Sequence, residues 1–151
     1  MIEASLRDPY FSAPPPKSTG RELFTPDYIS SFISQCRAVR AEATASDIIA
    51  TAVEFTARSI ADAYQRFVFE PVRDVVISGG GAKNPALAEA IARLLPDTQV
   101  VPFDTVFFDG EAKEAVAFAL LGFLHLEGMP GNVPAATGAA GARVLGKFTP
   151  A

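Results

Sequence analysis

The sequence predicts an α/β fold, and three observations predict it. Helix-forming stretches alternate with two short β-branched runs, Asp74-Val75-Val76-Ile77-Ser78 and Gln99-Val100-Val101-Pro102-Phe103. A glycine triplet, Gly79-Gly80-Gly81, joins the first run directly to the helix that follows it. The order helix, strand, glycine turn, helix, strand, helix is that of a sheet whose strands are linked by crossovers. The two strands are therefore expected as parallel neighbours in a mostly parallel sheet with flanking helices, joined by a right-handed connection. Two strands are few for a free-standing sheet.

The elements follow in chain order. Residues 1–24 read as an extended loop segment, because Pro9 and the run Pro14-Pro15-Pro16 remove N–H donors and fix φ. Tyr10, Phe11 and Phe24 give that segment something to pack with. Thr25-Pro26 predicts a helix start, with Thr as N-cap and Pro at the first helical position. Ile29, Phe32, Ile33 and Cys36 then form one apolar stripe. A longer helix is expected over 47–69, capped by Ser46, with Ile49, Val53, Ile60, Tyr64 and Phe67 on its buried side. Glu54, Arg58, Asp62 and Arg66 recur every four residues and read as a solvated ridge, each favourable pair worth about 0.2–0.5 kcal/mol.

After the first strand and the glycines, Asn84-Pro85 caps a helix through Leu87, Ile91, Leu94 and Leu95, which Pro96 stops. The last strong helix is expected over 111–127 and closed by Gly128. Its apolar run, residues 115–126, rises about 18 Å as a helix, short of the roughly 30 Å hydrocarbon core of a bilayer. It reads as a buried core helix. The tail, 129–151, is expected to be loop with a short strand near Arg143–Leu145. On this reading residues 1–151 form a single lobe: the loop segment 1–24, a helical and α/β core 25–128, and the tail.

Composition narrows the function. A net charge of −4 over 151 residues and a pI near 5.0 disfavour nucleic acid as a partner. Cys36 is the one cysteine, so no intrachain disulfide can form. One Cys and one His, His125, cannot build a Cys/His zinc site, and no metal centre is expected. His125, within the apolar helix, reads as a packed core residue. The first residues lack the basic and apolar regions of a signal peptide, and a cytoplasmic protein without a membrane segment is expected.

Three segments could carry chemistry. In DVVISGGGAKNPAL (74–87) a strand delivers the chain to glycines that let a ligand approach the backbone, and a helix N-terminus follows. That suits a phosphate or an adenosine hydroxyl; a tight βα turn with no ligand would look the same. Gly79, Gly81 and Asn84 also fall at GxGxxG spacing with Asn in the last place, and Asp104 stands where a dinucleotide fold has its ribose-binding acid. A dinucleotide-binding oxidoreductase fragment is thus arguable. The Walker A pattern is absent. In DPYFSAPPPKSTGREL (8–23), Lys17, Ser18, Thr19 and Arg21 could hold phosphate or carboxylate groups, or line a solvated loop. In FFDGEAKEAVAFALLG (107–122), Asp109, Glu111 and Glu114 lie where a helix dipole favours acids, and Glu114, nearest the apolar run, is expected to be partly enclosed.

These three segments, followed by GMPGNVPAATGA (128–139), resemble in order the C-terminal half of anhydro-N-acetylmuramic acid kinases, over nearly the whole chain. The resemblance implies the C-terminal lobe of an actin-like, ribonuclease H-like ATPase fold, with ATP bound in a cleft between two lobes. It implies an ATP-dependent amino-sugar kinase that phosphorylates 1,6-anhydro-N-acetylmuramic acid while water opens the anhydro ring, giving N-acetylmuramic acid 6-phosphate in cell-wall recycling. Gly79, Gly80, Gly81 and Asn84 then match the adenosine-binding turn. Glu114 and Asp109 match acids facing the substrate cleft, and Lys17, Ser18, Thr19 and Arg21 a motif bordering it. The second phosphate-binding loop and the catalytic aspartate belong to the family's N-terminal half, so no catalytic residue is expected in this chain. Mg²⁺ is expected with ATP, with ligands elsewhere. The partners implied are ATP or ADP, the sugar only together with an N-terminal half, and a complementing chain or a second copy. A non-catalytic module that self-associates through helix 111–127 is the alternative.

Overall fold

The computed structural model describes residues 1–149, and its residues group into two compact units. The first comprises 1–14 and 19–102; the second comprises 15–18 and the chain from Phe103 onward.

The first unit holds α1 (Ile2–Ser5), α2 (Pro9–Ser12), α3 (Pro26–Val39), α4 (Ala45–Phe67), β1 (Asp74–Ile77), α5 (Pro85–Leu94) and β2 (Gln99–Pro102). The strands pair in parallel, Val75 opposite Val100 and Val76 opposite Val101, as the α/β order requires. Residues 1–12 depart from the extended path expected of them. The carboxylate of Asp8 accepts a hydrogen bond from the Tyr10 N–H, and Pro9 occupies the first helical position. That cap with N1 proline nucleates one turn of helix before the Pro14–Pro16 run. Phe11 thereby reaches the core, 5.2 Å edge-on from Phe55.

α3 begins where Thr25-Pro26 predicts, the Thr25 hydroxyl accepting from the Tyr28 N–H. α4 begins a residue or two before its expected start and is capped by Thr44, not Ser46. Thr44 and Asp47 form a reciprocal capping box: Thr44 Oγ1 accepts from the Asp47 N–H, and the Asp47 carboxylate accepts from the Thr44 N–H. The hydrogen bonds from Thr44 hold the Asp47 carboxyl below its ordinary range. Replacing Thr44 by Ala is expected to cost about 1 kcal/mol, the usual loss for an N-cap, read as a lower denaturation midpoint at unchanged m-value.

The buried side of α4 is in part the expected one, since Ile60 and Tyr64 pack against the core, but its most buried side chains are others. Phe55, Ala57 and Ala61 are buried, whereas Ile49 is 64% exposed. Ala57 and Ala61 meet Val75, Ala90, Ile91 and Leu95 in one cluster, and small side chains there let α4, α5 and the strand approach closely. A second cluster joins Phe11, Phe32, Cys36 and Phe55. β1 is half-buried, with Val75 inside and Val76 40% exposed.

The predicted ridge forms its pairs. Arg58 Nε donates to Glu54 at 2.8 Å and Arg66 Nε to Asp62 at 2.9 Å. It is not wholly solvated, because Glu54 also accepts from Arg93 of α5 and Arg58 donates to Glu3 of α1.

The second unit holds two 3₁₀ turns, Phe103–Thr105 and Gly110–Ala112, then α6 (Lys113–Leu126) and α7 (Pro134–Thr137). α6 is not a buried core helix: none of its residues is buried, and Phe118, Phe123 and Leu126 are more than half exposed. A helix apolar on all sides gives no phase by which to place a buried face. Gly128 ends it with φ 65, the left-handed conformation of a C-terminal glycine. No strand forms at Arg143–Leu145. The segment is pinned by side chains instead: Asn132 Nδ2 donates to the Gly141 carbonyl, its Oδ1 accepts from the Arg143 N–H, and His125 Nδ1 lies 2.8 Å from the Leu145 carbonyl. His125 is therefore half-exposed and bound to the tail backbone, not packed in a core. No helix among the described residues is long and apolar enough to cross a membrane.

Candidate functional site

The glycine turn leaves β1 at its C-terminal end. Gly79 has φ 81 and ψ −168, a backbone region that a residue with a Cβ rarely enters. Gly80–Lys83 follow as one 3₁₀ turn, closed by bonds from the Ala82 N–H to the Gly79 carbonyl and from the Asn84 N–H to the Gly81 carbonyl. Gly79, Gly80 and Gly81 are all exposed. Gly80 has no positive φ, and a Cβ built on it would meet nothing within 4 Å beyond its chain neighbours. Its lack of a side chain thus serves neither the fold of the turn nor its packing. The N–H groups of Gly80 and Gly81 open the turn and have no carbonyl partner within it.

The donors at the start of α5 are a different matter. The expectation that its first turn presents free N–H groups is corrected by Asn84. Asn84 Oδ1 accepts from Ala86 and Leu87, at 3.1 and 3.4 Å, and the Asn84 carbonyl accepts from Ala88. Pro85 has no N–H. The helix end is satisfied from within, and Asn84 serves a ligand only through its amide nitrogen. The donors left for an anion are those of the glycines.

An open groove of about 630 Å³ lies between α4 and α5 and reaches Asn84 at the start of α5. Ile49, Ala50 and Val53 of α4 face Ala86 and Ala90 of α5 across it, giving an apolar floor. Its polar margin carries Asn84, Glu54, Glu89 and Arg93. The Arg58 hydrogen bond, with Arg93 beside it, holds the Glu54 carboxyl below its ordinary range against the opposing effect of burial. A groove with an apolar floor and a polar margin suits a flat heteroaromatic ring. No sequence signal marks this groove, because its walls come from residues some 40 positions apart.

None of the remaining candidates lines this groove. Asp109 and Glu114 belong to the second unit. Asp109 Oδ1 accepts from the Glu111 N–H and so caps a 3₁₀ turn. Glu114 is exposed, not enclosed. Lys17 and Ser18 fall with the second unit, Thr19 and Arg21 with the first. Gly20 turns the motif, its N–H donating to Glu22 at 2.7 Å. Asp104, the ribose-binding acid of the dinucleotide alternative, spends Oδ1 on the Gly110 N–H at 2.8 Å. That bond gives it a local structural duty as a loop cap.

Fold and site together define an α/β protein with a parallel βαβ unit, a glycine turn at a strand's C-terminal end and a groove beside it. The family model for anhydro-N-acetylmuramic acid kinase matches residues 1–151, and the chain belongs to that family. It is similar to proteins named anhydro-N-acetylmuramic acid kinase from Acaryochloris marina (43% identical, covering 98% of this chain and 38% of the relative) and Streptomyces coelicolor (41%, 99% and 37%). The relative from Gloeobacter violaceus is 44% identical, covering 99% of this chain and 38% of its own length. The chain thus spans little more than a third of the length of the curated relatives it matches.

Proposed function

We propose that this chain is the nucleotide-binding, C-terminal part of an ATP-dependent kinase acting on 1,6-anhydro-N-acetylmuramic acid in the cytoplasm. The whole protein would phosphorylate the sugar as water opens the anhydro ring, yielding N-acetylmuramic acid 6-phosphate. Both units would belong to one lobe of an actin-like fold, with the other lobe supplied by the part of the family's length that lies outside this chain. The observation that carries the reading is Gly80: an exposed glycine that its own fold does not require, in a turn that opens with two backbone donors.

ATP, when bound, supplies the phosphoryl group. Gly80 and Gly81 would accept its phosphate side with their N–H groups, and the groove between α4 and α5 would receive the base. Mg²⁺ would come with the nucleotide and take its ligands elsewhere. Lys17, Ser18, Thr19, Arg21, Asp109 and Glu114 would border the substrate cleft of the whole protein. Phosphoryl transfer needs positioned phosphates and a placed nucleophile together, so this chain alone is expected to bind nucleotide without turning it over. Calorimetric titration with ATP-Mg²⁺, beside a Gly80→Asp variant, tests this.

A second reading rests on α6. Phe118 is 72% exposed and Leu126 76%, and surfaces of this kind seldom stay bare. The isolated chain would then self-associate, or capture a complementing N-terminal chain, through that helix. Sedimentation is expected to show mass rising with concentration, and Phe118→Glu to return it to the monomer. A monomer at every concentration removes this reading.

A further inference from the structure

We propose that Glu54 and Arg93 are positioning residues that set the width of the groove for the nucleobase. The inference rests on the nucleotide reading of the glycine turn and adds what shapes its second half. Glu54 projects from α4 and spends both carboxylate oxygens on arginines. Oε1 accepts from Arg58 Nε at 2.8 Å, and Oε2 accepts from Arg93 Nη2 of α5 at 2.6 Å. Arg58 Nη1 donates in turn to Glu3 Oε1 at 2.9 Å, so one carboxylate ties α1, α4 and α5 together.

Arg93 has a nearer partner in sequence. Glu89 lies four residues before it on the same helix, the favourable order for an i,i+4 pair. Arg93 bonds instead across the groove, and both it and Glu54 line that groove. Elsewhere the α4–α5 contact is a packed cluster of Ala57, Ala61, Ala90, Ile91 and Leu95. Where the groove is open there is no side-chain packing to hold the helices at a fixed separation. The Glu54–Arg93 bridge spans that opening and fixes it. A flat base needs two walls at a defined distance, so the bridge acts on the base and not on the phosphates.

The test separates those two ends of the ligand. This chain, with Glu54→Gln and Arg93→Gln variants, would be titrated with adenosine and separately with Mg²⁺-tripolyphosphate, each variant first shown folded by circular dichroism. Adenosine binding is expected to weaken on the order of tenfold in both variants, the size of losing one charge-assisted hydrogen bond, with Arg93→Lys recovering part of it. Tripolyphosphate binding, made by the glycine N–H groups, is expected to be unchanged. Adenosine affinity within about twofold of wild type in both variants would overturn the inference and leave the nucleotide reading standing. Equal loss for both ligands would overturn it too, because it would mark a general loosening of the fold. A folded wild-type chain that binds neither ligand would remove the nucleotide reading of this chain on its own, and this inference with it.

Discussion

Ile91→Ala is expected to unfold much of the first unit, with a loss of roughly 2–5 kcal/mol. Ile91 is 3% exposed and sits on the inner side of α5, among Ala57, Ala61, Val75, Ala90 and Leu95. Three of those five neighbours are alanines, which have no flexible side chain to move into a cavity. The unrelaxed space adds its own cost to the lost burial. Domains of this size have only about 5–15 kcal/mol of net stability, so the loss is a large share of the total. Ile91→Val removes one methylene and should cost about 0.5–1.5 kcal/mol. Urea unfolding followed by far-ultraviolet circular dichroism measures both. A loss below about 1 kcal/mol for the alanine variant would mean that this cluster is not the unit's core.

The same cluster explains what was legible in the sequence and what was not. The strand–glycine–helix–strand unit could be read because each boundary has local chemistry: β-branched runs, a glycine triplet, Asn84-Pro85 as a cap. The phase of α4 could be read only in part: Ile60 and Tyr64 do pack on the core, but Ile49 does not, and the strand and α5 come close enough that alanines take the most buried positions between them. The short helix at Pro9 was hidden by proline density, although Asp8-Pro9 is itself a start signal. α6 has no readable phase, since a run apolar on every side takes its burial from what surrounds it. At the site, the turn was visible as glycines. Asn84 was visible as a cap, but not that capping would use up the donors of α5. The groove was invisible, because Glu54 and Arg93 meet only through the packing of two helices.

Gly80→Asp is expected to abolish ATP binding while leaving the fold intact, and that combination makes it the decisive variant. Gly79 would be a poor choice. Its φ of 81 with ψ −168 belongs to a region essentially reserved for glycine, where a substitution costs about 1–3 kcal/mol in strain. A lost signal there would mix folding with binding. At Gly80 the backbone φ is ordinary and a Cβ meets nothing within 4 Å, so the substitution strains neither the backbone nor the packing at Cβ. What changes is the space in front of the turn. A carboxylate now stands where a phosphate would accept from the Gly80 and Gly81 N–H groups. Like charges a few ångströms apart repel, by about 1 kcal/mol at 4 Å in bulk water and more where solvent is excluded. The side chain also occupies the approach itself. Weak heat with ATP-Mg²⁺ in the native chain and none in a variant of unchanged melting temperature is therefore the expected result. Equal binding in both would mean that the nucleotide, if it binds, does not touch the glycine turn. A native chain that is folded and silent would mean that the turn and groove are not a competent site without the rest of the family's length, and the exposed face of α6 would become the better guide to what the isolated chain does.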